Sequence, residues 1–152
     1  TKLSLVWMRR DLRLHDHAAL SAALAEAGGV QPVFVFDTYI LAGFPNPRDR
    51  RVRFLAHTIS HLHAKLNKRG GGMLVLHGSA REMMPKLAQA LSATSLVFAE
   101  DFEPEPIARD EAVKAALRGH CEVRSVVDHV MVSPRDVLKN DGTAFKVFTP
   151  YY

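Results

Sequence analysis

Leu3-Ser4-Leu5-Val6-Trp7-Met8 runs directly into Arg9-Arg10-Asp11-Leu12-Arg13. A short, nearly continuous apolar run that stops on a charged cluster reads as a strand covered on both faces, with its carboxyl end opening onto a polar rim. Similar runs recur at Gln31 to Phe36, Met73 to His77, Ser95 to Ala99 and Glu122 to Val127. Most are apolar throughout rather than alternating, as parallel strands between helical layers require.

The segments between these runs have helical period. Val52, Leu55, Ile59, Leu62 and Leu66 fall three and four apart on one narrow stripe, which predicts a core-facing helix. An earlier helix has Asp16 as N-cap, Leu20 and Leu24 four apart, and Gly28-Gly29 as its stop. Ser79 followed by Glu82 predicts a capping box, and Pro85 predicts a kink that splits that helix into two short pieces. A fourth helix starts near Pro106 and runs to about Leu117. Strand and helix alternate, so the expected fold is α/β: a Rossmann-like, doubly wound, five-stranded parallel sheet with helices on both faces. Ligands of such sheets bind at the carboxyl ends of the strands. Beyond residue 128 the pattern changes to a turn at Ser133-Pro134 and a tight turn at Lys139-Asn140-Asp141-Gly142. Residues 1–128 therefore read as the domain, and 129–152 as the start of a linker to further chain.

A length of 152 residues fits one domain, and 47% hydrophobic with 24% charged residues is the balance of a globular chain, not a disordered one. A formal charge of +4 permits nucleic-acid contact without demanding it. The single Cys121 excludes an internal disulfide framework and any CxxC motif, which suits a reducing compartment, cytoplasmic or, in a eukaryote, nuclear. No apolar stretch approaches the length of a membrane span.

Several familiar sites are excluded by their residues. The loop after the first strand has no glycine for close approach to a pyrophosphate, and GxxxxGK[ST] does not occur. His57 and His61 stand four apart but have no accompanying acid and point away from the apolar stripe, so they read as a solvated face. His63, at the stripe's edge, reads as packing. No nucleophile elbow or Cys and His arrangement supports covalent catalysis, and no catalytic or metal-binding set is expected. Arg48, Arg50, Arg51 and Arg53 crowd the start of the second helix, against the positive end of its dipole. Asp49, solvent or an anionic ligand would compensate them. The aromatic platforms of single-strand binding are absent nearby, so this cluster carries little weight for DNA.

The strand ends bring together Arg9, Arg10, Asp37, Asp101, Glu103 and Asp128 at one rim. Such a rim holds a planar polar ligand by its edge while Phe36 or Met8 covers a face; ordinary solvated loop ends are the other reading.

Trp7-Met8-Arg9-Arg10-Asp11-Leu12-Arg13-Leu14-His15-Asp16 resembles the opening signature of the DNA photolyase and cryptochrome family. Pro32 to Asp37 with Ile40-Leu41, then Glu103-Pro104, Arg109-Asp110 and the Phe145 to Tyr152 run, follow in the family's order. The resemblance implies the amino-terminal light-harvesting domain of a deoxyribodipyrimidine photolyase-type DNA repair flavoprotein, inert as a lyase by itself. The alternatives are a cryptochrome photoreceptor domain and a stand-alone nucleotide-binding or interaction module. FAD and the damaged-DNA site belong, by the same resemblance, to a helical domain that this one would adjoin. An antenna chromophore would lie among Arg10, Phe36, Asp37, Arg51, Asp101 and Glu103. Departures from the family pattern are His17 and Ala99, each where Asn is usual, and Glu105-Pro106 in place of the Asn-Glu pair of some folate binders. A deazaflavin or flavin antenna is therefore favoured over folate.

Overall fold

The computed structural model describes residues 2–26 and 28–145. The elements alternate: β1 (Leu3–Trp7), α1 (Ala18–Glu26), β2 (Gly29–Asp37), α2 (Thr38–Leu41), α3 (Arg50–Asn67), β3 (Leu74–Gly78), α4 (Ala80–Ala90), β4 (Ser95–Ala99), α5 (Pro104–Leu117) and β5 (Glu122–Val126). All five strands are parallel, in the order β3-β2-β1-β4-β5. The chain winds outward from β1 to one side and returns to build the other. The order therefore reverses between β1 and β4, and a crevice opens beyond their carboxyl ends.

Period-two alternation divides each central strand between two cores. Leu5, Trp7, Val33, Val35, Leu96 and Phe98 pack with Met84 of α4 and with Val113 and Leu117 of α5. Val6, Met8, Phe34 and Val97 pack on the opposite face with Ala19 and Ala23 of α1 and Ile59 and Leu62 of α3. The apolar runs of β1, β2 and β4 are needed because both faces are covered. The edge strands β3 and β5 alternate between half-buried and exposed positions.

Several local expectations are corrected. Asp16 sits at φ 47° and does not cap α1. His17 does, its Nδ1 accepting the Leu20 N–H at 3.1 Å. α1 buries Ala19 and Ala23 against the sheet and leaves Leu24 61% exposed. Ser79 makes no side-chain cap, and α4 runs unbroken through Pro85. Pro85 removes one backbone donor about a turn and a half into α4, so the Arg81 carbonyl one turn earlier has no intrahelical N–H to accept from. The Leu62 stripe, α5 and the solvated His57 and His61 are as the periodicity indicates. His63 Nδ1 accepts the Met73 N–H at 3.1 Å, a packing role.

After β5, the Asp136 N–H bonds to Ser133 O at 2.9 Å and the Gly142 N–H to Lys139 O at 2.8 Å, which forms both expected turns. Most of the Phe145 to Tyr152 run lies outside the described residues. Among the described residues, no helix is long and apolar enough to cross a membrane.

Leu5 is fully buried at the centre of the sheet. Leu5→Ala is expected to cost about 3 kcal/mol of stability, read as a lowered urea midpoint with unchanged slope.

Candidate functional site

The crevice is a cavity of about 270 Å3 formed where three strand ends meet four helices. Trp7 to Arg10 enter it from β1, Phe34 to Asp37 from β2, and Asp101 from the segment after β4. Ile40, Leu55, Ala80 and Pro106 supply the remaining apolar wall from α2, α3, α4 and α5. Phe36 stands edge-on to Phe34, with ring centroids 5.1 Å apart.

Beneath the crevice lies a buried ionic cluster. The Arg9 side chain is 8% exposed and pairs with Asp110 at 2.5 Å and Asp101 at 3.6 Å. Its guanidinium also donates to the Ala99 carbonyl and stacks 4.6 Å from the Phe98 ring centroid and 4.9 Å from that of Trp7. Arg109 reaches Asp101 at 3.1 Å and Asp110 at 3.0 Å, also over Trp7. Burial pulls the Arg9 guanidinium below its ordinary pKa, and Arg109 adds to that, while Asp110 and Asp101 oppose it. The cluster is neutral because two acids answer two arginines, and π-faces take part of the desolvated charge.

The expected site residues divide between this crevice and other places. Arg10, Phe36, Asp37 and Asp101 line the crevice. Asp37 caps α2, its Oδ1 accepting the Tyr39 N–H at 3.1 Å, which leaves Oδ2 free to accept from a ligand. Asp101 is already engaged: Oδ1 by Arg10 Nε at 3.1 Å and Oδ2 by Arg109. Glu103 is 57% exposed outside the cavity and pairs with Arg10. Arg51 lies apart from the crevice on the first turn of α3. There it pairs with Asp49 at 2.8 Å and sits 4.3 Å from the Phe44 centroid. The compensating anion for the arginine-rich start of α3 is thus its own N-cap, Asp49.

Asp128 is also elsewhere. It holds Arg13 at 2.8 Å and accepts the Ala18 N–H at 3.1 Å. With Asp11 and His17 it forms a buried group whose ligand-capable atoms lie within 4.8 Å of one another. His17 Nδ1 is committed to the Leu20 N–H, so the neutral ring carries its proton on Nε2, 3.2 Å from Asp11 Oδ2. A donor points where a metal would need a lone pair, and the group reads as the capping apparatus of α1.

Arg109 is the crevice residue that the strand-end reading missed. Its signal was helical: Arg109 and Asp110 lie four and three residues before Val113, on the stripe that α5 buries. Charges on a buried stripe require each other.

This fold and crevice define an α/β domain of the kind that carries a ligand at a topological switch point. The chain belongs to the DNA photolyase family, whose model matches residues 4–152. It is 33% identical over 150 residues to a deoxyribodipyrimidine photo-lyase from Synechococcus, covering 97% of this chain and 31% of that protein. It is 31% identical over 151 residues to cryptochrome-1 of Aedes aegypti, covering 91% of this chain and 27% of that one. Among solved structures, a class III photolyase from Agrobacterium tumefaciens superposes with a TM-score of 0.83 at 30% identity, over 99% of this chain and 30% of that one. A photolyase from Sulfolobus tokodaii, reported with two FAD molecules and an implied novel light-harvesting cofactor, superposes at 0.79 with 27% identity. It covers 91% of this chain and 32% of that one. The chain thus spans about a third of the length of these relatives.

Asp110→Asn leaves two buried arginines facing one acid and is expected to cost about 3 to 5 kcal/mol, measured by denaturant unfolding. At the exposed N-cap, hydrogen bonds from Arg51 hold the Asp49 carboxyl at about 2. Its contribution is complete above the ordinary carboxylate range and is lost as pH falls toward that value. Asp49→Asn should therefore lower the melting temperature at neutral pH, with the difference from the parent closing on acidification to about 2.

Proposed function

We propose that the crevice holds the antenna chromophore of a photolyase-type DNA repair flavoprotein, a deazaflavin or flavin in preference to a folate. The observation that carries this reading is an apolar cavity of about 270 Å3 at the switch point with one uncommitted carboxylate oxygen, on Asp37, at its edge. The half-buried Phe36 side chain covers one face of a ring system, and Asp37 accepts from a ring N–H or ribityl hydroxyl. Arg10, 55% exposed where the crevice opens, faces an anionic tail, with Glu103 beside it. Asp101 serves by holding Arg10 and Arg109 in place. Arg51 would reach the ligand only by leaving Asp49. Glu105 is held by Arg81 at 2.7 Å and Pro106 is part of the wall, which supports the preference against folate.

In this reading, absorbed light passes to FAD in a helical domain adjoining residues 129–152, and that domain acts on damaged DNA. The chain alone supplies no lyase chemistry. A cryptochrome photoreceptor is the second reading, favoured by the cryptochrome-1 relative.

Fluorescence titration of the chain with a deazaflavin, FMN and a reduced folate tests this. Saturable binding of a deazaflavin or FMN is expected, weakened about tenfold in Asp37→Ala through loss of one charge-assisted hydrogen bond. Asp101→Ala is the poorer probe, because it also uncouples the buried arginines. Absence of binding by all three ligands would refute the proposal.

A further inference from the structure

The chain's positive charge is concentrated on one side. Between Thr38 and Ala80 the only acid is Asp49, against seven Lys and Arg. Asp49 is already engaged by Arg51. α3 contains no acid along its 18 residues. Its apolar stripe is consumed by the core through Ile59 and Leu62. The outer side therefore carries Arg53, His57, His61 and Lys65 at successive steps of four, all exposed, with exposed Lys68 and Arg69 continuing beyond the helix end.

His61 and Lys65 of this row stand on one wall of a trough, with Arg53 and His57 beyond its rim. A hollow of about 500 Å3 separates α3 from the loop after β1, with Arg13 and His15 on the loop side and Lys65, Lys68 and Arg69 opposite. A second hollow, of about 400 Å3, shares Leu12, Arg13 and Thr58 with the first and extends along α3 to Phe54. Arg13 is held by Asp128. Lys65, Lys68 and Arg69 make no ion pair among the described residues.

We propose that this trough binds the phosphate backbone of duplex DNA without regard to sequence, independently of the strand-end crevice. Unpaired cations on a cleft wall, with no acid among the residues lining either hollow, complement a continuous line of negative charge. From Arg53 to Lys65 the helix rises about 18 Å, roughly the axial length of five phosphates on one strand. Single-stranded nucleic acid fits poorly, because Phe54 is the one aromatic residue of α3 and successive bases need stacking platforms. An anionic membrane also fits poorly, because the apolar stripe that would enter the headgroups is turned into the core.

Fluorescence anisotropy with a labelled duplex of arbitrary sequence tests the proposal. Micromolar binding is expected at about 50 mM salt, with log K falling against log salt at a slope of about −3, for three released counterions. The variant K65E/K68E/R69E should bind at least tenfold more weakly and with a flatter slope, with its fold verified by an unchanged far-UV circular dichroism spectrum. K86E/K114E/R118E changes the net charge equally but lies on α4 and α5, across the sheet, and should retain most of the affinity. Failure of the parent chain to bind, equal loss in both variants, or tighter binding to phosphatidylserine vesicles than to the duplex would overturn the proposal. None of these outcomes bears on chromophore binding, which the ligand titration decides separately.

Discussion

The Arg9 guanidinium is the constraint around which the upper half of the domain is arranged. It follows directly from the most buried strand, so its charge is drawn into a place where water cannot reach it. Desolvation of that charge requires compensation from every direction: Asp110 and Asp101 as counterions, the Ala99 carbonyl as acceptor, and Trp7 and Phe98 as π-faces. Those partners come from β1, β4, α5 and the segment between them. The cluster therefore ties the two halves of the sheet together at the point where strand order reverses. A buried ionic group of this kind contributes little net stability, but it permits few alternative arrangements, since any shift strands a charge.

The same cluster shapes the crevice above it. Asp101 turns both oxygens toward arginines, so it braces the floor instead of presenting a free acceptor. Asp37, occupied at only one oxygen by the cap of α2, is left as the acid able to meet a ligand. Two carboxylates at equivalent strand ends thus have different chemistry because one has arginine neighbours and the other a helix start. The outer face of α3 is organised by a simpler rule. Its apolar stripe is used in the core, Asp49 is used at the N-cap, and the solvent side carries cations with no acid of the helix among them.

Much of this was legible from residue patterns. Continuous apolar runs gave β1, β2 and β4, because a strand covered on both faces has no polar positions to spare. The Val52 to Leu66 stripe gave α3. Other features were misread where a local rule met a tertiary one. Asp16 has better N-cap chemistry than His17, yet Arg13 bonds to its backbone carbonyl and the cap moves one residue on. Pro85 suggested a break, but it is buried in α4 beside Met84 and Ala88, and the helix continues through it. Arg51, which the resemblance places among the ligand residues, is paired with a carboxylate two residues away.

The sequence by itself determined the alternation of strands and helices, the parallel sheet and the gathering of charged residues at the strand ends. These depend on periodicity and on where apolar runs stop, both of which are local. Only the tertiary structure decided which of those charges are spent on one another and which remain for a ligand. Arg9 and Asp110 are 101 residues apart, as are no two groups within reach of a spacing rule, and they meet at 2.5 Å only after the sheet has been wound in both directions from β1. Pairing of buried charges is a property of the assembled interior, where desolvation makes each partner obligatory.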